Sequence, residues 1–309
     1  MADFSAGEAI TSGFRLIGRN PAAILWWAGV RILVGFLPPA LALWAVAPDL
    51  IGFSQQMLRQ AAEHAHVSPD MSAFLGLQSR LAILQPITLI SLLVNASLVM
   101  GAIYRGVLYP QERRFGYLRF SMREVWLGLV IAVLYVAFVI LCVVAAIVAG
   151  VSVVAAATSV QHGGGGAGGI VAGVIILAAA AVVIWLIARF CLALPLSFDA
   201  RTFAIGESWE LTAGHALKII LTGLAVFVIL LLVELVLAGL LFGVIVGAVT
   251  HGAGLTSFLH MKPADIVRRV LPWVPLWIIA GSLVGAAFYA ILAAPLADIY
   301  RQLTRSERV

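Results

Sequence analysis

Six stretches of this chain are long and apolar enough to cross a lipid bilayer, and no other signal in the sequence restricts its fold as strongly. A spanning helix needs about 20 mostly apolar residues, because the hydrocarbon layer is about 30 Å thick and a helix rises about 1.5 Å per residue. The stretches run over 22–47, 81–109, 125–157, 169–196, 217–250 and 271–300. Lipid offers no hydrogen bonds to an open backbone, so each run closes its own as a helix. The expected fold is all-α: an integral membrane bundle of six transmembrane helices, one membrane domain over 1–309. Pro38–Pro39 and Pro86 are expected at kinks. The fifth run holds 34 residues. It reaches about 50 Å and must tilt, bend or project from the bilayer.

Composition agrees. Apolar residues make up 63% of the chain and charged residues 11%. A water-soluble domain carries about 25% charge, so this chain has too few charged groups to cover a soluble surface. The excess positive charge comes from 17 Arg and 2 Lys against 14 acids. These basic residues flank the apolar runs, which reads as membrane topology rather than nucleic-acid binding. Cys142 and Cys191 lie inside apolar runs, where buried thiols are expected. The first twenty residues lack the pattern of a secretory signal.

Basic residues also give an orientation. With the N-terminus inside, the inner side holds thirteen, among them Arg15, Arg105, Arg113, Arg114, Arg119, Arg123, Arg189 and Arg301. The outer side holds five: Arg59, Arg80, Lys262, Arg268 and Arg269. Positive charge gathers on the cytoplasmic side, so both termini are expected there, in a bacterial inner membrane. The exterior loops are then 48–80, the turn His162–Gly169 and 251–270. That glycine-rich turn lacks the Lys and Ser/Thr of a phosphate-binding loop.

The inner side carries amphipathic patterns. Ser5 and Glu8, and again Ser121 and Glu124, match a capping box, in which a Ser caps the helix and a Glu three residues on reaches back. Ile10, Phe14 and Ile17 fall on one face of a helix expected to lie at the inner interface. Before the fifth run, Ile205, Trp209 and Thr212 share a face. Gly7-Glu8-Ala9-Ile10 resembles Gly206-Glu207-Ser208-Trp209, which suggests three repeats of an interfacial segment and a hairpin: 1–109, 110–199 and 200–309.

Polar groups inside the bilayer are costly and are candidates for function. They are Glu234 in the fifth run, Arg31 in the first, Asn95 in the second and Arg189 in the fourth. They would line a polar route, or they would pair, Glu234 with Arg31 or Arg189, to lock helices together. Arg31 also has the length to snorkel inward. His64 and His66 are two residues apart and point to different sides of a helix, which suits a metal poorly. No metal, cofactor or catalytic constellation is expected. Asp199, Glu207 and Glu210, beside Arg201, read as a polar helix face rather than a hydrolytic acid pair. Arg113, Arg114, Arg119 and Arg123 interleave with Phe115, Tyr117 and Phe120, a pattern that suggests contact with anionic lipid.

Ala188-Arg-Phe-Cys-Leu-Ala-Leu-Pro-Leu-Ser-Phe-Asp199, followed by Ile205-Gly-Glu-Ser-Trp-Glu-Leu-Thr212, resembles a pattern in a known family. It is similar to the membrane domain of bacterial glycerophosphoryl diester phosphodiesterases and to the related YciC-like six-span membrane proteins. The matching positions are Arg189, Pro195, Ser208, Trp209, Leu211 and Thr212. The close match covers about 25 residues. No long non-membrane stretch is left to hold the soluble phosphodiesterase domain. The resemblance therefore implies a membrane module without the catalytic half. The expected function is non-enzymatic: support of envelope or lipid-related processes, by scaffolding or by handling lipid at the inner leaflet. Membrane lipids, and an unidentified membrane or envelope protein, are the expected partners. The alternative is a small transporter or channel with a polar route through Glu234 and Asn95.

Overall fold

The computed structural model describes residues 4–62, 71–82, 84–161, 167–250, 268–269 and 271–306. All regular structure among them is helical, and six segments have the length and apolarity to span a bilayer. The chain is a multi-pass membrane protein.

Helix α1 (Ala6–Arg19) precedes the first span. That span is built from α2 (Ala22–Val30), a π-helical turn (Arg31–Phe36) and the start of α3 (Leu37–Ala62). The π turn has a local cause. Pro38 and Pro39 lack N–H donors and crowd the carbonyls four residues earlier, so the helix widens just before them. The expected kink is thus a π turn. Helix α4 (Met71–Ala82) leads to the second span, α5 (Leu84–Leu108). Pro86 falls in the first turn of α5, where its missing donor would be unbonded anyway, so it interrupts nothing. The stretch 48–80, expected as a loop, is helical over 48–62 and 71–80.

Helices α6 (Met122–Gln161) and α7 (Ala167–Phe190) form the third and fourth spans and pack as a long hairpin. Two short helices follow, α8 (Ala193–Ala200) and α9 (Ile205–Leu211). The last spans are α10 (Ala216–Thr250) and α11 (Val274–Ser306). The fifth run is thus one helix of 35 residues. Residues 63–70, 162–166 and 251–267, with His64, His66, His162, His251, His260 and Lys262, lie outside the described set.

Both terminal helices meet at one end of the bundle, called here the basal end. Ser5 N–H donates to Gln302 Oε1 at 2.7 Å. Helix α1 packs along α11 through small residues, burying Ala9, Ser12, Gly13 and Leu16. A Cβ on Gly13 would stand 2.6 Å from Ile291 Cα, so only glycine allows this approach. The face bearing Phe14 stays exposed, with Ile10 and Ile17 half-buried at its edge. Helix α1 is therefore docked on α11 by its small face and turns its bulky apolar face outward.

The core concentrates at the basal end. One cluster joins Trp27, Val99, Ile103, Tyr104, Leu127, Phe198, Ala290 and Ala294. A second joins Phe4, Ala9, Leu192, Ile219, Ile299 and Leu303. Elsewhere large apolar side chains face outward along α6, α7 and α10, as lipid-facing surfaces do.

Candidate functional site

The basal end is organised by a buried ion pair. Arg105 closes α5 and Glu124 opens α6, and each is 1% exposed. Arg105 Nη2 donates to Glu124 Oε1. Its Nη1 donates to the Tyr117 carbonyl at 2.6 Å. Its Nε faces a Glu112 oxygen at 3.4 Å, close enough for charge attraction but not aligned for a hydrogen bond. The other Glu124 oxygen completes the capping box, accepting from Ser121 N–H at 2.9 Å and Ser121 Oγ at 2.5 Å. At the other expected box, Ser5 Oγ accepts from Glu8 N–H at 3.4 Å, but Gln302 takes the place of the returning Glu.

The pair supports a strained turn. Phe115 and Tyr117 hold φ values of 48° and 66°, in the left-handed region that side chains rarely enter. Two carbonyls pin the turn: Tyr117 O on Arg105, and Gly116 O, which accepts from Trp27 Nε1 at 2.8 Å. Tyr117 is consequently buried, which corrects its expected place among the lipid-facing aromatics. Phe115 and Phe120 do face outward, 65% and 80% exposed, beside the exposed Arg113 and Arg114. Arg119 is ion-paired to Glu112 at 3.1 Å.

Arg123 differs from its neighbours. Its guanidinium lies 4.3 Å from the Tyr109 ring centre and 5.7 Å from that of Phe198. Its Nε is buried without a hydrogen-bond partner, and no carboxylate pairs with it among the described residues. Arg189, at the end of α7, has the same surroundings. Its guanidinium lies 4.2 Å from the Trp209 ring centre and 5.8 Å from that of Trp185, with a buried, unbonded Nε and no carboxylate partner among the described residues. Stacking engages the face of a guanidinium and leaves its edge N–H groups in want of an acceptor, which an anion can supply.

The residues of the sequence motif form a latch around Arg189. Ser208 Oγ and Thr212 Oγ1 both donate to the Arg189 carbonyl, at 2.9 and 3.2 Å. That carbonyl is in the last turn of α7 and lacks a helical partner. Trp209 stacks edge-on with Trp185 and packs on Phe190. Pro195 is buried in the first turn of α8, and Leu211 packs against the second core cluster.

The acids do not converge. Asp199 accepts from Tyr109 Oη on one oxygen and from Tyr300 Oη at 2.9 Å on the other. Burial, and then the bond to Asp199, push the Tyr109 phenol above its ordinary range. Glu207 and Glu210 are exposed on α9, and no bond joins them to Asp199 among the described residues. Asp298, 1% exposed, takes Arg301 and Gln302 and draws Arg15 to 3.9 Å. These tyrosine and aspartate partnerships had no sequence signal of their own. No group of acids, His and Cys with metal-binding geometry occurs among the described residues.

The deeper polar residues are also placed. Asn95 is buried against Gly35 of the π turn, its Oδ1 unbonded. Arg31 is half-buried, with its guanidinium 4.9 Å from the Tyr289 ring centre. Glu234 is exposed on α10. It pairs with neither Arg31 nor Arg189, which corrects the expected lock, and it is not brought to Asn95. Arg31 does not snorkel free; it is held on Tyr289.

Comparison with protein-family models, with curated proteins and with solved structures returns no match.

Proposed function

We propose that this protein is a non-enzymatic membrane module that binds anionic lipid head groups at the inner leaflet of a bacterial inner membrane. One contrast carries the reading. Arg105, Arg119 and Arg301 each have a carboxylate partner, whereas Arg123 and Arg189 are fixed on aromatic faces without one among the described residues. A cation held half-dehydrated without a counter-ion is costly, and an arriving phosphate supplies the missing charge with matching fork geometry.

Orientation supports this placement. In the sequence, thirteen of the basic residues near span ends read as inner and five as outer, a bias that favours a cytoplasmic basal end. Exposed Phe115 and Phe120 beside Arg113 and Arg114, and exposed Phe14 on α1, suit a head-group layer, where aromatic rings and basic chains both find partners. The resemblance to the phosphodiesterase membrane domains fits, since Arg189, Ser208, Trp209 and Thr212 are the positions that build one of the two arginine sites.

Lipid analysis of the detergent-purified protein tests the reading. It predicts retained phosphatidylglycerol or cardiolipin in preference to phosphatidylethanolamine. Retained lipid in the same proportions as the source membrane would remove its support.

A further inference from the structure

Two opposite charges stand inside the bilayer without an ion-pair partner among the described residues. Glu234 is exposed on α10 and has no ion pair or hydrogen bond among the described residues. Arg31 is half-buried and stacked on Tyr289, its Nε is unbonded, and no carboxylate reaches it among the described residues. A Cβ on Gly285 would stand 2.4 Å from Arg31 Nη2, so the bundle leaves a seat that fixes this guanidinium. A lone carboxylate facing lipid is costly, and intramembrane charges are paired as a rule.

We propose that the protein forms a symmetric dimer in which Glu234 of each copy pairs with Arg31 of the other. Depth and position both favour it. Arg31 lies against Gly285 and Tyr289, about 18 Å along α11 from Ile299. Glu234 lies about 22 Å along α10 from Ile219, which packs with Ile299 in one cluster. The two charges therefore sit at the same depth to within one helical turn, about 5.4 Å. A two-fold axis along the bilayer normal preserves depth, so only groups at equal depth can pair across it. The first span and α10 both pack against α11. An axis beside α11 thus brings each Glu234 towards the partner's first span and makes two identical ion pairs. The dimer needs no ligand and does not depend on lipid binding by Arg123 and Arg189.

The full-length chain tests this in membranes. With Cys142 and Cys191 replaced by Ala, one tagged copy carries Arg31→Cys and a second, differently tagged copy carries Glu234→Cys. Mild oxidation is expected to link the two tags. In micelles, Glu234→Gln and Arg31→Gln each weaken dimerisation by about five- to thirtyfold. The exchange Arg31→Glu with Glu234→Arg recovers most of the loss that either substitution causes alone. The Gln variants and the cross-link keep the test decisive if the exchanged protein does not insert. A wild type that is monomeric, Gln variants that associate as the wild type does, or an exchange no better than its single parts would each overturn the dimer. So would loss of bound lipid from Arg31→Gln with the dimer unchanged, since Arg31 would then hold a lipid phosphate.

Discussion

Glu124→Ala removes one half of the ion pair that joins α5 to α6. Both partners are 1% exposed, so the substitution strands Arg105 in a dry site. Removing one partner of such a pair costs about 3–5 kcal/mol. Arg105 keeps the Tyr117 carbonyl at 2.6 Å and the Glu112 oxygen at 3.4 Å, which places the loss near the lower limit. The capping box at Ser121 goes with the carboxylate and adds about 1 kcal/mol. The expected total is about 4 kcal/mol. Glu112→Ala is the control. Its side chain is 32% exposed, and its loss is held to under about 1 kcal/mol by solvent screening. Both are read from reversible unfolding in mixed micelles of increasing denaturing detergent. Equal destabilisation by the two substitutions would refute the assignment of Glu124 as the organising acid of the basal end.

Tyr104 buries a hydroxyl with no hydrogen-bond partner among the described residues, so Tyr104→Phe is expected to be neutral or to stabilise by about 1 kcal/mol in the same unfolding assay. A clear loss would show that the hydroxyl has a partner. The Tyr109 phenol is raised by burial and by Asp199 from its ordinary value of 10.0. Its neutral form therefore stabilises the fold fully below pH 10, and this part is lost as pH rises through the raised value. Tyr109→Phe should lose less stability than the wild type over that alkaline window; identical alkaline profiles would contradict it. Gly13→Leu drives a side chain into the Ile291 backbone and should detach α1 from α11, seen as protease cleavage near residue 20. Unchanged protection would show that α1 docks another way.

The spans were legible because hydropathy is local: a run of apolar residues reports its own environment wherever the chain takes it. The Ser121–Glu124 box was legible for the same reason, since its partners are three residues apart. What Glu124 does beyond the cap was not. Arg105 reads in sequence as one more inner-side basic residue, and only the meeting of α5 with α6 makes it a buried partner. Asp199 looked like a member of an acidic helix face, but Tyr109 and Tyr300, distant in sequence, claim both its oxygens. The motif around Arg189 was visible as a pattern and opaque as physics. Its Ser and Thr cap a carbonyl and its Trp carries a guanidinium, roles that need the turn between α7 and α9. Pro38 and Pro39 announced a disturbance, whereas its form as a π turn depended on which carbonyls they crowd.

Arg123 and Arg189 are proposed to bind an anionic head group at the basal end. Titration of the purified protein with short-chain phosphatidylglycerol, alongside Arg123→Gln and Arg189→Gln, tests it most directly. Saturable binding by the wild type is expected, weakened about tenfold or more by each substitution, with phosphatidylcholine binding weak and unchanged. Equal affinity of all three proteins for phosphatidylglycerol would contradict it.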